Sequence, residues 1–250
     1  MPGDGAEVAG GRVRRTGLAG VLLGLAVAGA GAATLPPLVG EPGGLGAGWR
    51  VATLPEQKPP ITRYIAERVD GRDALRVEAA ASYGNLVYVL PGVPAPRRLD
   101  WAWRLQQPNA AADLRRKPGD DAAVKVCLSF ELPLSAVPFV ERQLLRLARS
   151  RTGENLPAAT LCWVWAGAEE RGALLDNVYS RRVRYIVLRN GSDAPGHWQR
   201  ESRDVAADFL RAFGDESATV PPLTAVIVAG DADNTGARSV AHVANLSFAP

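Results

Sequence analysis

Two short stretches concentrate the side chains that could do chemistry. The first, from Asp113 to Glu131, reads DLRRKPGDDAAVKVCLSFE and sets Asp120 and Asp121 beside Arg115, Arg116 and Lys117. The second, from Gly230 to Gly236, reads GDADNTG and carries Asp231, Asp233 and Asn234. Two carboxyl groups facing each other across a cleft can hydrolyse a glycosidic bond, one as acid and the other as base or nucleophile. Asp120, Asp121, Glu131, Glu201, Asp231 and Asp233 are candidates for such a pair, but spacing along the chain does not pair them. Without catalysis, Asp120, Asp121, Arg115, Lys117, Asp231, Asp233 and Asn234 remain a candidate ligand-binding set. The plain structural alternative for the first stretch is a solvated turn. Pro118-Gly119-Asp120-Asp121 has turn chemistry, and its surface ion pairs contribute at most about 1 kcal/mol each.

The second stretch also begins like a calcium loop, with oxygen-bearing side chains at Asp231, Asp233 and Thr235 and a glycine, Gly236, at the sixth position. The place of the closing bidentate glutamate is taken by His242, and strand patterns flank the loop, so a hairpin loop held by Asp and Asn side chains is the simpler reading. Calcium is therefore the one cofactor candidate. Cys127, Cys162, His197 and His242 are too few and too scattered for a structural zinc site. The two cysteines sit in apolar strand-like segments and read as free buried thiols, with a bridge open to them if their strands are neighbours. No glycine-flanked nucleophile serine and no phosphate-cradling glycine loop occurs in the chain.

Elements with period-two patterning must position these clusters. Lys125–Glu131 alternates, with Val126, Leu128 and Phe130 on one face and Lys125, Cys127 and Ser129 on the other. Further strands are predicted at 49–54, 63–69, 74–81, 85–90, 99–105, 160–165, 182–189, 223–228 and 240–248. Leu99, Trp101, Trp103 and Leu105 share one face, which reads as core although tryptophans on a strand could also form a stacking platform. Asn190-Gly191 and Pro195-Gly196 suggest that 182–189 and 197–201 are antiparallel strands joined by a longish loop. One helix is expected at 138–149, with Val140, Leu144 and Leu147 along its apolar side and Arg142, Arg146 and Arg149 along its wet side. A second, 205–213, is capped by Asp204 and closed by Gly214.

The 250 residues, 47% hydrophobic and 22% charged, suffice for a large core. A net charge of +3 with no basic run is no footprint for nucleic acid or an anionic membrane. At the amino end, Arg12, Arg14 and Arg15 precede a mildly apolar stretch ending in small residues at Ala28, Ala30 and Ala32. Residues 1–33 thus read as a cleaved export signal, with Arg14-Arg15 suiting the twin-arginine route; a retained membrane anchor is the alternative. The mature protein is expected in the periplasm or secreted, with no stable membrane insertion. Residues 34–48, rich in proline and glycine, read as a tether or irregular entry segment, and 49–250 as one domain.

From about Trp49 to Phe248 the chain resembles the bacterial exported family known as domain of unknown function 3047. The resemblance rests on Trp101 and Trp103, Asp113-Leu114-Arg115 with Lys117, Gly119-Asp120-Asp121, Phe130, Ser180-Arg181 with Val183-Arg184, and Trp198. It continues through Glu201, Arg203-Asp204, Ala207-Asp208-Phe209, Phe213-Gly214 and Asp231-Ala232-Asp233-Asn234-Thr235. In the segment 160–165 the family more typically has asparagine and tyrosine where this chain has Cys162 and Trp163. The resemblance implies an all-β sandwich outside the cytoplasm and carries over no catalytic residue. Strand count and resemblance together predict an all-β, mainly antiparallel, jelly-roll-like sandwich with two short covering helices. The expected function is noncatalytic binding of a glycan or another envelope component; the alternative is a hydrolase with a paired-carboxylate site.

Overall fold

The computed structural model describes residues 1–3, 34–41, 43–54 and 57–249; the expected export leader lies outside them apart from its first three residues. Strands β1 (Arg50–Ala52), β2 (Arg63–Val69), β3 (Arg72–Ala80), β4 (Asn85–Val93), β5 (Arg98–Gln107) and β6 (Val124–Phe130) precede helix α1 (Phe139–Thr152). Then come β7 (Ala159–Trp165), β8 (Leu174–Asp176), β9 (Val183–Arg189), β10 (Gln199–Asp204), helix α2 (Val205–Phe213), β11 (Leu223–Ala229) and β12 (Arg238–Ala249). The strands form a seven-stranded sheet, β1-β4-β11-β6-β7-β9-β8, and a five-stranded sheet, β10-β5-β12-β3-β2. All pairings in the sheets are antiparallel except β7 with β9. The fold is a jelly-roll-like β-sandwich with two helices, as the alternation predicts.

Period-two patterning works here because each strand buries one face between the sheets. Leu99, Trp101, Trp103 and Leu105 of β5 meet Leu161, Trp163 and Trp165 of β7 in that layer. Trp101 lies 5.6 Å from Trp163, and Trp103 lies 5.7 Å from Trp165, ring centre to ring centre. These tryptophans are core, so they offer no exposed stacking platform. The β2–β3 hairpin turns at Asp70-Gly71, both at positive φ (50° and 77°), the backbone that a two-residue hairpin turn with the native twist requires. Residues 34–41 and 43–48 run irregularly, with Leu38 buried and Trp49 Nε1 donating to the Pro36 carbonyl at 3.3 Å.

Four expectations are corrected. The segments 182–189 and 197–201 are not a hairpin: β9 joins the seven-stranded sheet beside β7, while β10 pairs with β5 in the other sheet. Likewise β11 and β12 lie in different sheets, so the loop at 230–236 crosses the sandwich edge instead of closing a hairpin. In α1 the expected apolar side does not face the core, although Arg146 is exposed as expected. Val140 (66% exposed), Leu144 (56%) and Leu147 face solvent, while Leu145 is buried and Arg149 bonds the Leu156 carbonyl. Finally, Cys127 and Cys162 are directly paired across β6 and β7 and form a disulfide, not free thiols.

That disulfide belongs to a second, smaller apolar cluster on the outer face of the seven-stranded sheet, with Leu114, Ala122, Val164, Tyr185 and Val187. Helix α2 is capped by Asp204, whose carboxylate accepts from Ala207 N at 2.8 Å, and seats Phe209 against Phe130. Asp208 receives Trp163 Nε1 (2.7 Å) and the Arg203 guanidinium, tying the helix to both sheets.

Candidate functional site

Because β6 and β11 are antiparallel neighbours, with Lys125 opposite Ala229, the chain entering β6 and the chain leaving β11 meet at one end of these central strands of the seven-stranded sheet. The two polar stretches are therefore joined, although they are far apart in the sequence. Asp231 accepts Ala122 N–H at 2.7 Å through Oδ1 and the Lys125 ammonium at 2.5 Å through Oδ2. Burial alone would lower the Lys125 pKa, but Asp231 and the hydroxyls of Tyr185 and Tyr83 outweigh it, and the ammonium is held well above its ordinary range.

Asp121 organises the second loop. Its Oδ2 accepts Thr235 N (2.8 Å) and Thr235 Oγ1 (2.6 Å), and its Oδ1 accepts Asn234 N (3.2 Å). Asp120 faces a different neighbour: Oδ2 accepts Asn177 Nδ2 at 2.6 Å, and the same amide nitrogen donates to Tyr185 Oη at 2.8 Å. Asp120 Oδ1 is buried without a hydrogen-bond partner. Burial, reinforced by the charges of Asp231 and Asp121, pushes the Asp120 carboxyl up to about 6 against the pull of Lys125 and Asn177. Asp233 also has a buried oxygen without a partner, and its carboxyl is raised by burial and by Asp231. Exposed Tyr179 donates to Asn234 Oδ1 at 2.8 Å, and Lys117 stands over its ring.

The site thus gathers Asp120, Asp121, Asp231, Asp233 and Asn234, with Lys117 at its margin through Tyr179. Arg115 is not part of it: its side chain is exposed, and only its backbone N–H is engaged, by Asp113. Glu201 is spent on Trp103 Nε1 and Arg189, and Glu131 lies beyond the far end of β6. Asp231 turns to Lys125 and Thr235 to Asp121, and among the described residues no group of three or more His, Cys, Asp or Glu side chains could hold a metal ion.

Sequence reading missed Asn177, Tyr179, Tyr185 and the weight of Lys125. A charged residue inside an otherwise apolar strand was the available signal for Lys125, since an ammonium is almost never fully buried unless paired. Asn177 and Tyr179 arrive from the loop of the β8–β9 hairpin, and nothing local marks them.

Beside this wall lies a solvent-facing strip of the sheet. By register, Asn85, Val87 and Val89 of β4 and Ala225, Ile227 and Ala229 of β11 share the outer face with Lys125. Val89 is 49% exposed, and Asn85, Val87 and Ile227 are partly so. Asn85 Nδ2 donates to Tyr83 Oη at 3.1 Å, linking strip and wall. The arrangement offers small and apolar side chains as a floor and carboxyl, amide and phenol groups as hydrogen-bonding partners.

Fold and site define a two-sheet β-sandwich with a carboxylate-rich wall on the outer face of its larger sheet. The chain belongs to the family described as "Protein of unknown function (DUF3047)", whose model matches residues 47–247. No curated protein matches the sequence. Among solved structures, the chain is similar to the Trichoderma harzianum endoglucanase 3 from family GH12, at 11% identity and a TM-score of 0.43, covering 88% of this chain and 98% of that one. It is also similar to the xyloglucanase domain of NopAA, a type three effector from Sinorhizobium fredii solved with cellobiose, at 9% identity and a TM-score of 0.40, covering 79% and 91%. Among the described residues no helix is long and apolar enough to cross a membrane.

Proposed function

We propose that this protein is exported and binds a glycan of the cell envelope along the β1–β4–β11 strip, against the wall of Asp120, Lys125, Asp231 and Asp233. The observation that carries the reading is the meeting of the two acidic loops beside an open strip of sheet. A polyhydroxyl chain suits that surface, since the partly exposed Asn85 amide and the exposed Tyr179 phenol can both donate to and accept from hydroxyl groups. Export is supported by the basic and apolar amino end and by the Cys127–Cys162 bridge, which persists in oxidising compartments. The test is retention of the mature protein on immobilised envelope polysaccharides, with Asp233→Asn and Tyr179→Ala as weakened variants. Retention on none of them, or purified material confined to the cytosol with its leader intact, overturns the proposal.

A second reading, hydrolysis by a carboxyl pair, is favoured by one observation: Asp120 holds its proton into the weakly acidic range, as a general acid must, close to other carboxylates. Release of reducing ends from a retained polymer, abolished by Asp120→Asn, supports it; binding without turnover leaves the noncatalytic module.

A further inference from the structure

The outer face of the five-stranded sheet holds a cavity of about 560 Å³, lined in part by Glu67, Arg76, Arg104, Gln107, Arg238 and His242. That volume is within the range of small-molecule sites. Three of these residues are set by register: Arg76, His242 and Arg104 stand side by side on β3, β12 and β5. An irregularity in the β12–β5 pairing, where Ala241 opposes Leu105 but Val240 opposes Gln107, brings in Gln106 as well, so that both glutamines line the cavity. Arg76 binds Glu78 at 2.9 Å and Arg238 binds the same carboxylate at 2.7 Å, while Arg104 Nε donates to the Gly196 carbonyl at 2.8 Å. The lining carries three guanidinium groups and the carboxylate of Glu67; Glu78, shared by Arg76 and Arg238, and the exposed Asp70, 3.9 Å from Arg104, stand around it.

Two buried polar atoms of this lining have no hydrogen-bond partner, Arg76 Nε and His242 Nδ1. His242 is 4% exposed, and its Nε2 lies 2.6 Å from Glu67 Oε1. Burial, opposed by Glu67, holds its imidazole below the ordinary range, so the neutral ring donates Nε2–H to the carboxylate and presents Nδ1 as an acceptor. The lining therefore wants an anionic oxygen for its guanidinium groups and a hydroxyl to donate to His242. Beside it, Trp198 lies 6.4 Å from the His242 ring, with the Arg72 guanidinium over its ring at 5.3 Å and its Nε1 donating to Asp70 at 3.1 Å. This tryptophan, unlike those between the sheets, is partly exposed.

We infer that the cavity is a binding site for a sugar acid, its carboxylate held by Arg76, Arg104 and Arg238, a hydroxyl donating to His242 and the ring resting against Trp198. Guanidinium groups match a planar carboxylate in geometry as well as charge. The inference is independent of the reading of the seven-stranded face, which the cavity does not touch.

The experiment is calorimetric titration of the mature domain with digalacturonate, its methyl ester and sodium sulfate. Expected are binding of digalacturonate, at least tenfold weakening by Arg76→Gln and by Arg238→Gln, similar weakening on esterification, and no change in Leu144→Gln, an exposed position on α1. The more exposed Arg238 keeps the test open if the Arg76 variant folds poorly. Absence of binding, equal affinity for the ester, or binding kept in both arginine variants overturns the site. Sulfate binding as tightly as digalacturonate overturns the sugar assignment.

Discussion

Lys125 Nζ and Asp231 Oδ2 lie 2.5 Å apart, and this buried pair joins β6 to the loop beyond β11 across 106 residues of sequence. It fixes the end of these strands where the acidic loops meet. Removing one partner leaves the other charge buried and uncompensated. Lys125→Met is expected to destabilise the domain by about 3–5 kcal/mol, and Asp231→Asn by a comparable amount. In a double-mutant cycle the combined variant should lose less than the sum by on the order of 2 kcal/mol. Urea unfolding followed by tryptophan fluorescence measures all three; additive losses would show that the pair does not act as a unit.

Asp120 makes stability depend on pH with a definite sign. Its folded carboxyl is raised from 3.8 to about 6, chiefly by burial, so the folded state binds its proton more tightly than the unfolded chain does. The stabilisation from this group is fully present below about 4 and is lost as pH rises through about 6. Asp120→Asn should flatten that part of the profile and raise stability at pH 7 by about 1 kcal/mol, a figure discounted for screening by solvent. Thermal melts of both proteins from pH 4 to pH 8 check it.

The Cys127–Cys162 bridge closes a loop of 35 residues in sequence separation. In the chain-entropy account such a crosslink contributes about 3–4 kcal/mol. Reduction, or Cys127→Ala with Cys162→Ala, should lower the melting temperature by roughly 6–16 °C, at about 2–4 °C per kcal/mol for a domain of this size. A mass shift on alkylation with and without reductant confirms the starting state.

Helix α1 offers a test of its orientation. Leu145→Ala should cost about 2–4 kcal/mol, because that side chain is buried. Leu144→Gln, at a 56% exposed position, should change stability by no more than about 0.5 kcal/mol. The reverse ranking in denaturant titrations would restore the orientation that the apolar spacing suggests.

The sequence alone determined the elements whose signals are local. Alternation along β5, β6 and β7 is legible because the larger apolar side chains of each fall on the face between the sheets, although β6 and β7 are buried on both faces, and Asp204 and Gly214 mark α2 because caps answer to the nearest backbone groups. The carboxylates of the candidate wall could be named for the same reason, being dense polar clusters in loops. Which strand lies beside which was settled only by the tertiary structure, since β9, β10, β11 and β12 distribute between the sheets according to packing, not to the turns that join them. So was the orientation of α1: Arg149 and Leu145 found partners on the domain, leaving the nominally apolar side to solvent. The pairing of Cys127 with Cys162, the convergence of Asp120 with Asn177, and the row of Arg76, His242 and Arg104 all depend on register between strands far apart in the chain. Register is a property of the assembled sheets, because a strand's own pattern says which face is buried but not which neighbour it meets.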